Sequence, residues 1–364
     1  MRELRKDAGQ LLIAGIADKT LPESVARSLR QEELAGIILF RRNLGTIEEI
    51  AALTRAIHEA APEVPFVAID QEGGAVQRIK EPLTVWPPMR QVAQCEDANL
   101  VAKVGEALAD EIAWLGFNLN FAPIADIHTN PANPIIGDRA FGTTPQSVAR
   151  YAGAFAAGMT IAGVMPCAKH FPGHGDTSTD SHLELPVMDT DLATIEAREL
   201  APFAAMVRAK VPMIMTAHIL FPALDPTHPA TLSPRILSEL LRLRLGFDGI
   251  VISDDLNMKA LADHYSMEEM VRLGLRAGID IFLVCEHEER RVAAYEALIK
   301  LGEGNSLDRE RIGLAAQRVR AQRQDWLRSW KPTAPLLDHD ALATHADLLE
   351  RVLQAGAPKT RAHS

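Results

Sequence analysis

Eight short apolar runs, separated by longer stretches with helical periodicity, constrain the fold of this chain more than any other feature. A continuous apolar run of about four to eight residues is typical of a strand buried on both faces, as in a parallel sheet. Alternating buried strands and helices predict such a sheet, and eight strands predict closure into a single (β/α)8 TIM-type barrel of the α/β class. An open, doubly wound sheet is the alternative. The predicted strands span residues 11–16, 36–40, 66–69, 119–125, 164–168, 211–216, 249–252 and 279–284.

Amphipathic stretches between these runs predict the helices that surround the barrel. Thr46 and Glu49 have the spacing of a capping box, and Pro234 follows Ser233 at the position favoured in a first helical turn. A barrel of 364 residues commonly folds as one domain. We therefore predict a barrel domain over residues 1–335, followed by a C-terminal helix and frayed tail over residues 336–364. The predicted helices span residues 46–60, 100–115, 145–162, 191–208, 233–245, 267–277, 307–330 and 339–354.

Charge and hydropathy argue against several kinds of partner. The chain has 38 basic and 48 acidic residues, and its net charge of −10 repels polyanions, so nucleic acid is not expected as a partner. The N-terminus combines a charged start with a short apolar run that Gly15 and Asp18 interrupt, and we interpret it as a strand rather than a signal peptide. No stretch approaches the roughly 20 apolar residues of a membrane span, so no membrane partner is expected.

The three cysteines indicate a reducing compartment. They are odd in number, far apart in the chain, and lie in or near apolar sequence. Buried free thiols are the simplest interpretation of Cys95, Cys167 and Cys285, and the predicted location is cytoplasmic.

Polar residues follow the predicted strands at their carboxyl ends. In (β/α)8 barrels the active site lies at this end, where the loops that follow the strands meet. We therefore expect these side chains to line a common cavity. They are Arg41, Asn43, Asp70, Gln71, Asp126, Lys169, His170, His218, Asp254, Asp255 and Glu286.

The segment AKHFPGHGDTSTDSHLELP, residues 168–186, concentrates ionisable side chains in one loop. Pro172 and its neighbouring glycines prevent a regular helix or central strand there. Asp180 and His182 are two residues apart, so in an extended chain the carboxylate can orient the imidazole and raise its basicity. Such a histidine can donate and accept a proton near neutral pH. A solvent-exposed loop histidine is the alternative.

The segment GIVISDDLNM places Asp254 at the mouth of a buried strand. An ionised carboxylate is costly to desolvate unless its site uses the charge or supplies hydrogen bonds. We interpret Asp254 as a functional carboxylate. Capping of the following helix is the alternative, because aspartate is a preferred N-cap residue.

A second set of charged residues is typical of a sugar-binding pocket. Such a pocket would be dense in fixed hydrogen-bond donors and acceptors, which suit the many hydroxyl groups of a sugar. Surface ion pairs are the alternative for each arginine. The predicted binding residues are Asp70, Arg78, Arg139, Lys169 and His170.

No cofactor is predicted from the sequence. The histidines and aspartates of the loop and strand ends could suggest a metal site, but H-E-x-x-H and paired C-x-x-C spacings are absent. The glycines after Asp70 lack the G-x-G-x-x-G spacing, and no G-x-x-x-x-G-K-[ST] loop occurs, so nucleotide cofactors are unsupported.

Three motifs in order resemble one known family. AIDQEGGAVQR, KHFPGHGDTSTDSH and VISDDLNM are similar to segments of the β-N-acetylhexosaminidases of glycoside hydrolase family 3, the NagZ type. The resemblance covers residues 11–286. It departs from the family at Ala75, where many relatives carry arginine, and this difference could alter a contact at the rim of the site.

The resemblance implies a retaining exo-β-N-acetylglucosaminidase with a covalent glycosyl-enzyme intermediate. Asp254 matches the nucleophile, while Asp180 and His182 match a dyad in which histidine is the general acid and then the base. This differs from the two-carboxylate arrangement of most glycosidases. The five predicted binding residues match positions that hold the sugar. The implied substrate is a small molecule, N-acetylglucosamine on a 1,6-anhydro-muropeptide, in peptidoglycan recycling.

Three alternatives stay open. Transfer of the sugar to phosphate instead of water would make the protein a phosphorylase. A metal-dependent barrel hydrolase would use the histidine cluster. A sugar-binding protein without catalysis would use the same polar pocket.

Overall fold

A closed eight-stranded parallel barrel forms the centre of the molecule. The computed structural model describes residues 1–177, 181, 184–328, 330–331 and 337–356. The strands are β1 (Leu12–Gly15), β2 (Gly36–Leu39), β3 (Phe66–Ile69), β4 (Gln71–Gly73), β5 (Val76–Gln77), β6 (Leu119–Asn120), β7 (Met165–Phe171), β8 (Met213–Thr216), β9 (Ile250–Asp255) and β10 (Ile281–Val284). Around the barrel their order is β1, β10, β9, β8, β7, β6, β3, β2, and β4 pairs with β5 as a separate antiparallel hairpin. The predicted (β/α)8 barrel is confirmed, and the open doubly wound alternative is wrong.

Each predicted apolar run contains one barrel strand, but β6, β7 and β9 differ clearly in extent from the prediction, and β9 runs three residues further, to Asp255. Regular pairing of β6 ends at Asn120, well before residue 125, because Pro123 has no N–H to donate, and only an isolated bridge joins Ile124 to Lys169 beyond it. Strand β7 continues through Lys169 and His170 to Phe171. These two polar side chains therefore belong to the strand itself and share its fixed position.

Helices cover the outside of the barrel, and the predicted helical regions are confirmed. Thr46 accepts a hydrogen bond from the N–H of Glu49, whose side chain in turn accepts from the N–H of Thr46, as the capping box predicts. Residues 195–199 and 235–244 are π-helical. The helices are α1 (Arg2–Gln10), α2 (Glu23–Arg30), α3 (Ile47–Ala60), α4 (Met89–Ala93), α5 (Ala98–Trp114), α6 (Pro145–Ile161), α7 (Leu192–Thr194), α8 (Leu200–Arg208), α9 (Lys259–Ala262), α10 (Met267–Ala277), α11 (Glu288–Gly304), α12 (Ser306–Leu327) and α13 (His339–Ala355).

The N-terminus contains a helix that was not predicted. Its apolar run forms β1 as predicted, and the charged start before it forms α1. Leu4 and Ala8, one helical turn apart, bury one face of α1, which packs against α11 and α12. The helical period of these two residues could have identified the element.

Apolar side chains fill the barrel below its mouth. Ile13, Phe66, Met165 and Ile250 are among the buried residues that point to the barrel axis from alternate strands. A second, larger apolar layer lies between the strands and the surrounding helices. Because apolar side chains fill the interior, the polar side chains at the carboxyl ends of the strands lie at the mouth of the barrel.

The C-terminal helix α13 packs against α4 and α5. The buried ring of His345 contacts Oε1 of Glu111 through Nδ1 at 2.9 Å and stacks on Trp114. Helix α13 confirms the helix predicted over residues 339–354. The end of the predicted frayed tail, residues 357–364, lies outside the described residues, and the division of the chain at residue 335 stays a prediction.

The thiols and helices bear on the predicted compartment. All three cysteines are free; Cys167 and Cys285 are buried, and Cys95 is half-buried. In the described part of the chain, no helix combines the length and the apolar character needed to cross a bilayer. The cytoplasmic location stays a prediction.

Candidate active site

A cavity of about 300 Å³ opens at the carboxyl ends of the strands. Six predicted site residues line it together: Asp70, Arg78, Arg139, Lys169, His170 and Asp254. Asp180 and His182 lie outside the described residues, whereas Ser181 between them lines the cavity. Further lining side chains are Arg42, Glu72, His174, Asp255 and Glu286 among the polar residues, and Ile38, Phe40, Val76, Phe121, Ile135, Met215, Met258, Leu283 and Cys285 among the apolar ones.

Lys169 links two carboxylates on one wall of the cavity. Its Nζ lies 2.8 Å from Oδ1 of Asp70 and 2.7 Å from Oε1 of Glu72. Arg139 holds the same glutamate through both carboxylate oxygens, with Nε 2.9 Å from Oε2 and Nη2 2.8 Å from Oε1. These groups form a rigid array of charge-assisted hydrogen bonds.

Glu72 is a member of this array that the sequence analysis missed. Burial would raise the pKa of its carboxyl, but the charges of Arg139 and Lys169 outweigh burial and hold the pKa well below its usual range. Glu72 is therefore ionised. A signal was present in the sequence, because residues two apart point to the same side of an extended chain and Glu72 follows Asp70 by two.

The hairpin of β4 and β5 positions Arg78 beside Asp70. Nη2 of Arg78 lies 3.3 Å from Oδ2 of Asp70, and the N–H of Arg78 donates to Oε1 of Gln71 at 2.8 Å. The turn needs glycine at residue 74, which has φ +59° and where a Cβ atom would lie 2.8 Å from the backbone of Pro88. The exposed Ala75 at this turn has no long side chain to extend towards the rim.

Asp126 fixes the orientation of His170. Its Oδ2 lies 2.8 Å from Nδ1 of the His170 ring, and its oxygens also accept the N–H groups of His170 and His174. Burial would raise the pKa of Asp126, but His170 and its hydrogen bonds lower it below its usual value. The ionised Asp126 thus joins the end of β7 to the loop that follows.

Asp254 presents an ionised carboxylate to the cavity from the end of β9. The protein around it would raise its pKa by desolvation, but His170, His218 and the N–H of Asp255 lower the pKa below its usual value. Its Oδ1 accepts that N–H at 2.8 Å. The capping alternative is wrong, because the next helix, α9, has Met258 at its N-cap.

His174 and His218 support the backbone around the cavity. The ring of His218 contacts Oγ1 of Thr231 through Nδ1 at 2.7 Å and the carbonyl of Asp255 through Nε2 at 3.1 Å. His174 contacts Oγ1 of Thr177 at 2.9 Å and Oγ of Ser181 at 3.1 Å. Burial lowers the pKa of His174 to about 4, so this ring is neutral at pH 7.

The described residues bear on the metal alternative. Within the part of the chain that the structure describes, no group of three or more histidine, cysteine, aspartate or glutamate side chains is arranged to hold a metal ion. Both ring nitrogens of His174 and of His218 already contact protein atoms.

Known proteins resemble this chain over nearly all of its length. Beta-hexosaminidase of Bordetella parapertussis is 34% identical over 352 residues, which cover 95% of this chain and 96% of that protein. Beta-hexosaminidase of Chromobacterium violaceum is 37% identical over 323 residues, which cover 87% of this chain and 89% of that protein.

Solved structures agree with these relatives. The glycoside hydrolase family 3 beta-N-acetylglucosaminidase from Paenibacillus sp. superimposes with a TM-score of 0.89 at 37% identity, over 97% of this chain and 68% of that one. NagZ from Neisseria gonorrhoeae, solved in complex with N-trifluoroacetyl-D-glucosamine, has a TM-score of 0.78 at 32% identity, over 96% and 98% of the two chains. The profile of the Glycosyl hydrolase family 3 N terminal domain matches residues 3–321. The predicted resemblance is confirmed: this chain is a glycoside hydrolase and belongs to family 3.

Proposed function

We propose that the protein is a retaining exo-β-N-acetylglucosaminidase. The observation that carries the proposal is the ionised carboxylate of Asp254, directed into a cavity whose other polar walls are fixed hydrogen-bonding groups. The names of the relatives support the same substrate class, because they include beta-hexosaminidases and a beta-N-acetylglucosaminidase.

Five residues hold the sugar in this proposal: Asp70, Arg78, Arg139, Lys169 and His170. Asp70 carries one oxygen towards Lys169 and the other towards Arg78, so it can accept hydrogen bonds from sugar hydroxyl groups while staying in place. A cavity of about 300 Å³ lies at the lower end of the sizes of ligand pockets and supports the binding of one terminal sugar. That size supports cleavage of a terminal residue.

Asp254 acts as the nucleophile. One of its oxygens attacks the anomeric carbon, the bond from that carbon to the leaving oxygen breaks, and His182 donates a proton to the leaving group. Water then gives its proton to the same histidine and displaces Asp254, which restores the enzyme. The low pKa of Asp254 supports this role, because the attacking carboxylate must be ionised.

Asp180 and His182 form the acid/base pair of the proposal. Support comes from Ser181, which lies between them in the chain, lines the cavity and contacts the ring of His174. An anionic nucleophile nearby favours the protonated form of an imidazole, whereas it would hinder a carboxylic acid from losing its proton. Histidine is therefore a suitable acid beside Asp254.

The natural substrate in this proposal is N-acetylglucosamine β-linked to a 1,6-anhydro-N-acetylmuramic acid peptide, cleaved in the cytoplasm during peptidoglycan recycling. The family resemblance supports this substrate, and the similar structures include NagZ of Neisseria gonorrhoeae. The barrel over residues 1–335 carries all of the proposed catalytic residues.

One set of assays tests the proposal. Purified protein is given an aryl N-acetyl-β-glucosaminide or the matching aryl β-glucoside, with and without inorganic phosphate and with a chelator control. We expect turnover of the first substrate alone, to free sugar, with no effect of phosphate or chelator. A sugar phosphate product would identify a phosphorylase, and loss of activity with chelator would identify a metal enzyme.

Trapping the intermediate separates catalysis from simple binding. A fluorinated N-acetylglucosaminyl fluoride should leave a covalent adduct on Asp254, visible by mass spectrometry of the peptides. An enzyme that turns over the aryl substrate without any adduct on Asp254 would contradict the proposed nucleophile. A protein that binds the sugar without turnover would be a binding protein.

A further inference from the structure

The start of the loop after β7, residues 172–177, is held from two sides by charged groups, the buried Asp126 and the half-buried Arg198. On the inner side, Asp126 accepts the N–H of His174 at 2.8 Å. On the outer side, Arg198 donates from Nη2 to Oδ2 of Asp176 and from Nε to Oε1 of Glu199. One guanidinium therefore joins a carboxylate of the loop to a carboxyl group of the helix of residues 195–199.

The contacts of the loop with Glu199 and Ile127 leave no space for side chains at two glycines. A Cβ atom at Gly173, which has φ +143°, would lie 2.8 Å from Oε2 of Glu199. At Gly175 it would lie 1.6 Å from the carbonyl oxygen of Ile127. This part of the loop therefore has a defined position against Glu199 and does not simply cross the surface.

The outer contact comes from a π-helical turn. Residues 195–199 form the π-helix between α7 and α8. In a regular α-helix, adjacent side chains diverge by about 100°. Here the adjacent side chains of Arg198 and Glu199 meet each other and both contact the loop. Single π-helical turns occur frequently at functional sites.

Glu199 lies at a position where a carboxyl group is destabilising. Its side chain is 1% exposed, and its Oε2 has no hydrogen-bond partner among the described residues. Burial outweighs the attraction of Arg198 and raises the pKa of Glu199 to about 7. A buried, incompletely satisfied carboxyl destabilises a fold and calls for an explanation. Fold stability alone does not supply one.

We infer that Arg198 is a positioning residue for proton transfer. Arg198 fixes the loop through Asp176, and Glu199 orients the guanidinium of Arg198. The inference rests on the proposed function, because it assumes that the acid/base pair lies in the part of the same loop that follows Asp176. A displaced acid protonates the leaving oxygen poorly. The loss must then depend on how much protonation the leaving group needs, which a merely structural role would not produce.

The test compares Arg198→Ala with wild type on aryl N-acetyl-β-glucosaminides of graded leaving-group pKa. We expect Arg198→Ala to lower kcat for the poorest leaving group by about tenfold more than for the best, since a complete general acid contributes roughly 10²-fold to 10⁴-fold. Arg198→Lys should give an intermediate loss, because one ammonium replaces the guanidinium fork that reaches both carboxylates.

Arg244→Ala is the matched control. Arg244 pairs with Glu196, an exposed neighbour of Arg198 in the same π-helix, so this variant removes an ion pair from the same element. It should leave the dependence on the leaving group unchanged. If Arg198→Ala does not fold, as judged by circular dichroism, Arg198→Lys alone carries the comparison.

Two outcomes overturn the inference. In the first, His182→Ala loses activity in a way that depends on the leaving group, but Arg198→Ala loses activity equally on all leaving groups or loses none. This result would refute the role of Arg198 and leave the proposed function intact. If His182→Ala itself shows no such dependence, the acid assignment fails and the inference fails with it.

Discussion

The N–H of Asp255 donates a 2.8 Å hydrogen bond to Oδ1 of Asp254, so the two adjacent aspartates at the end of β9 are in direct contact. Their environments nevertheless shift the pKa values of the two carboxyl groups in opposite directions. The pKa of Asp254 is lowered, whereas burial raises the pKa of Asp255 to about 6. Asp255 uses Oδ1 to accept the N–H groups of Cys285 and Asn257, both at 3.0 Å. Both aspartates line the cavity, but Asp254 presents its charge there, whereas Asp255 joins β9 to the end of β10.

This division predicts different results for two similar substitutions. Asp254→Asn should lower kcat on an aryl N-acetyl-β-glucosaminide by about 10³-fold or more while the melting temperature stays close to that of wild type, because an amide is a poor nucleophile. Asp255→Asn keeps an oxygen that can accept both N–H groups and should retain far more activity. Steady-state kinetics and thermal unfolding of both variants provide the measurement. Substantial residual turnover in Asp254→Asn would contradict the nucleophile assignment.

The array around Lys169 predicts a large loss of stability from a single amide. Glu72→Gln removes a charge that contacts both Lys169 and Arg139, which leaves the buried Lys169 with Asp70 and the half-buried Arg139 poorly compensated. Breaking a buried ion pair from one side costs about 3 kcal/mol or more. Urea unfolding at pH 7 measures this, with Glu268→Gln as a control that removes the exposed pair with Lys300. The control should cost no more than about 1 kcal/mol, and equal losses in both variants would contradict the array.

The role of His182 as an acid predicts that the effect of its removal depends on the leaving group of the substrate. His182→Ala should lose little activity on substrates whose leaving groups depart without a proton and about 10²-fold or more on those that need one. A series of aryl N-acetyl-β-glucosaminides measures the difference. Asp180→Asn should also lose more activity on substrates whose leaving groups need a proton, but by a smaller factor than His182→Ala. The imidazole stays in this variant but loses the carboxylate that raises its basicity. Uniform losses over the series would argue against the acid role.

Much of the architecture could be predicted from the sequence because the barrel depends on local patterns. Eight buried strands leave eight uninterrupted apolar runs, and parallel order brings their carboxyl ends to one mouth. Asp254, Lys169 and His170 could therefore be assigned to a common cavity from their places in the chain.

Other features depended on long-range contacts that no local pattern reports. Glu72 follows Asp70 by two positions, but its ion pair with Arg139, 67 positions later, follows from tertiary packing. Asp126 stood at a predicted strand end, but its hydrogen bonds to the backbone and ring of His170 follow from tertiary packing. The irregular end of β6 came from Pro123, which the apolar pattern concealed. The π-helical turn at Arg198 has no sequence signature.

The proposed domain boundary can be tested by truncation. Residues 1–335 contain every proposed catalytic and binding residue, so a chain that ends at residue 335 should keep its turnover number. It should also melt at a lower temperature, because removal of α13 exposes Glu111, which holds both His345 and the N–H of Thr84. Kinetics and calorimetry of the two chains give the comparison. Loss of all activity in a truncated chain that stays folded would contradict the boundary.

The buried carboxyl of Glu199 predicts a stability difference that depends on pH. Its pKa is about 7 in the folded protein and 4.5 ordinarily, so the folded state binds more protons than the unfolded state between these values. The contribution of Glu199 to stability therefore falls as the pH rises through this window. Glu199→Gln lacks that loss, and its unfolding free energy relative to wild type should rise by up to about 3 kcal/mol between pH 4.5 and pH 8. Urea unfolding at intervals of one pH unit measures the difference, in which groups common to both proteins cancel. Glu196→Gln, exposed on the same π-helix, should show a nearly constant difference above pH 5.5. Parallel stability curves for Glu199→Gln and wild type would mean that Glu199 is ionised in the folded protein throughout this range.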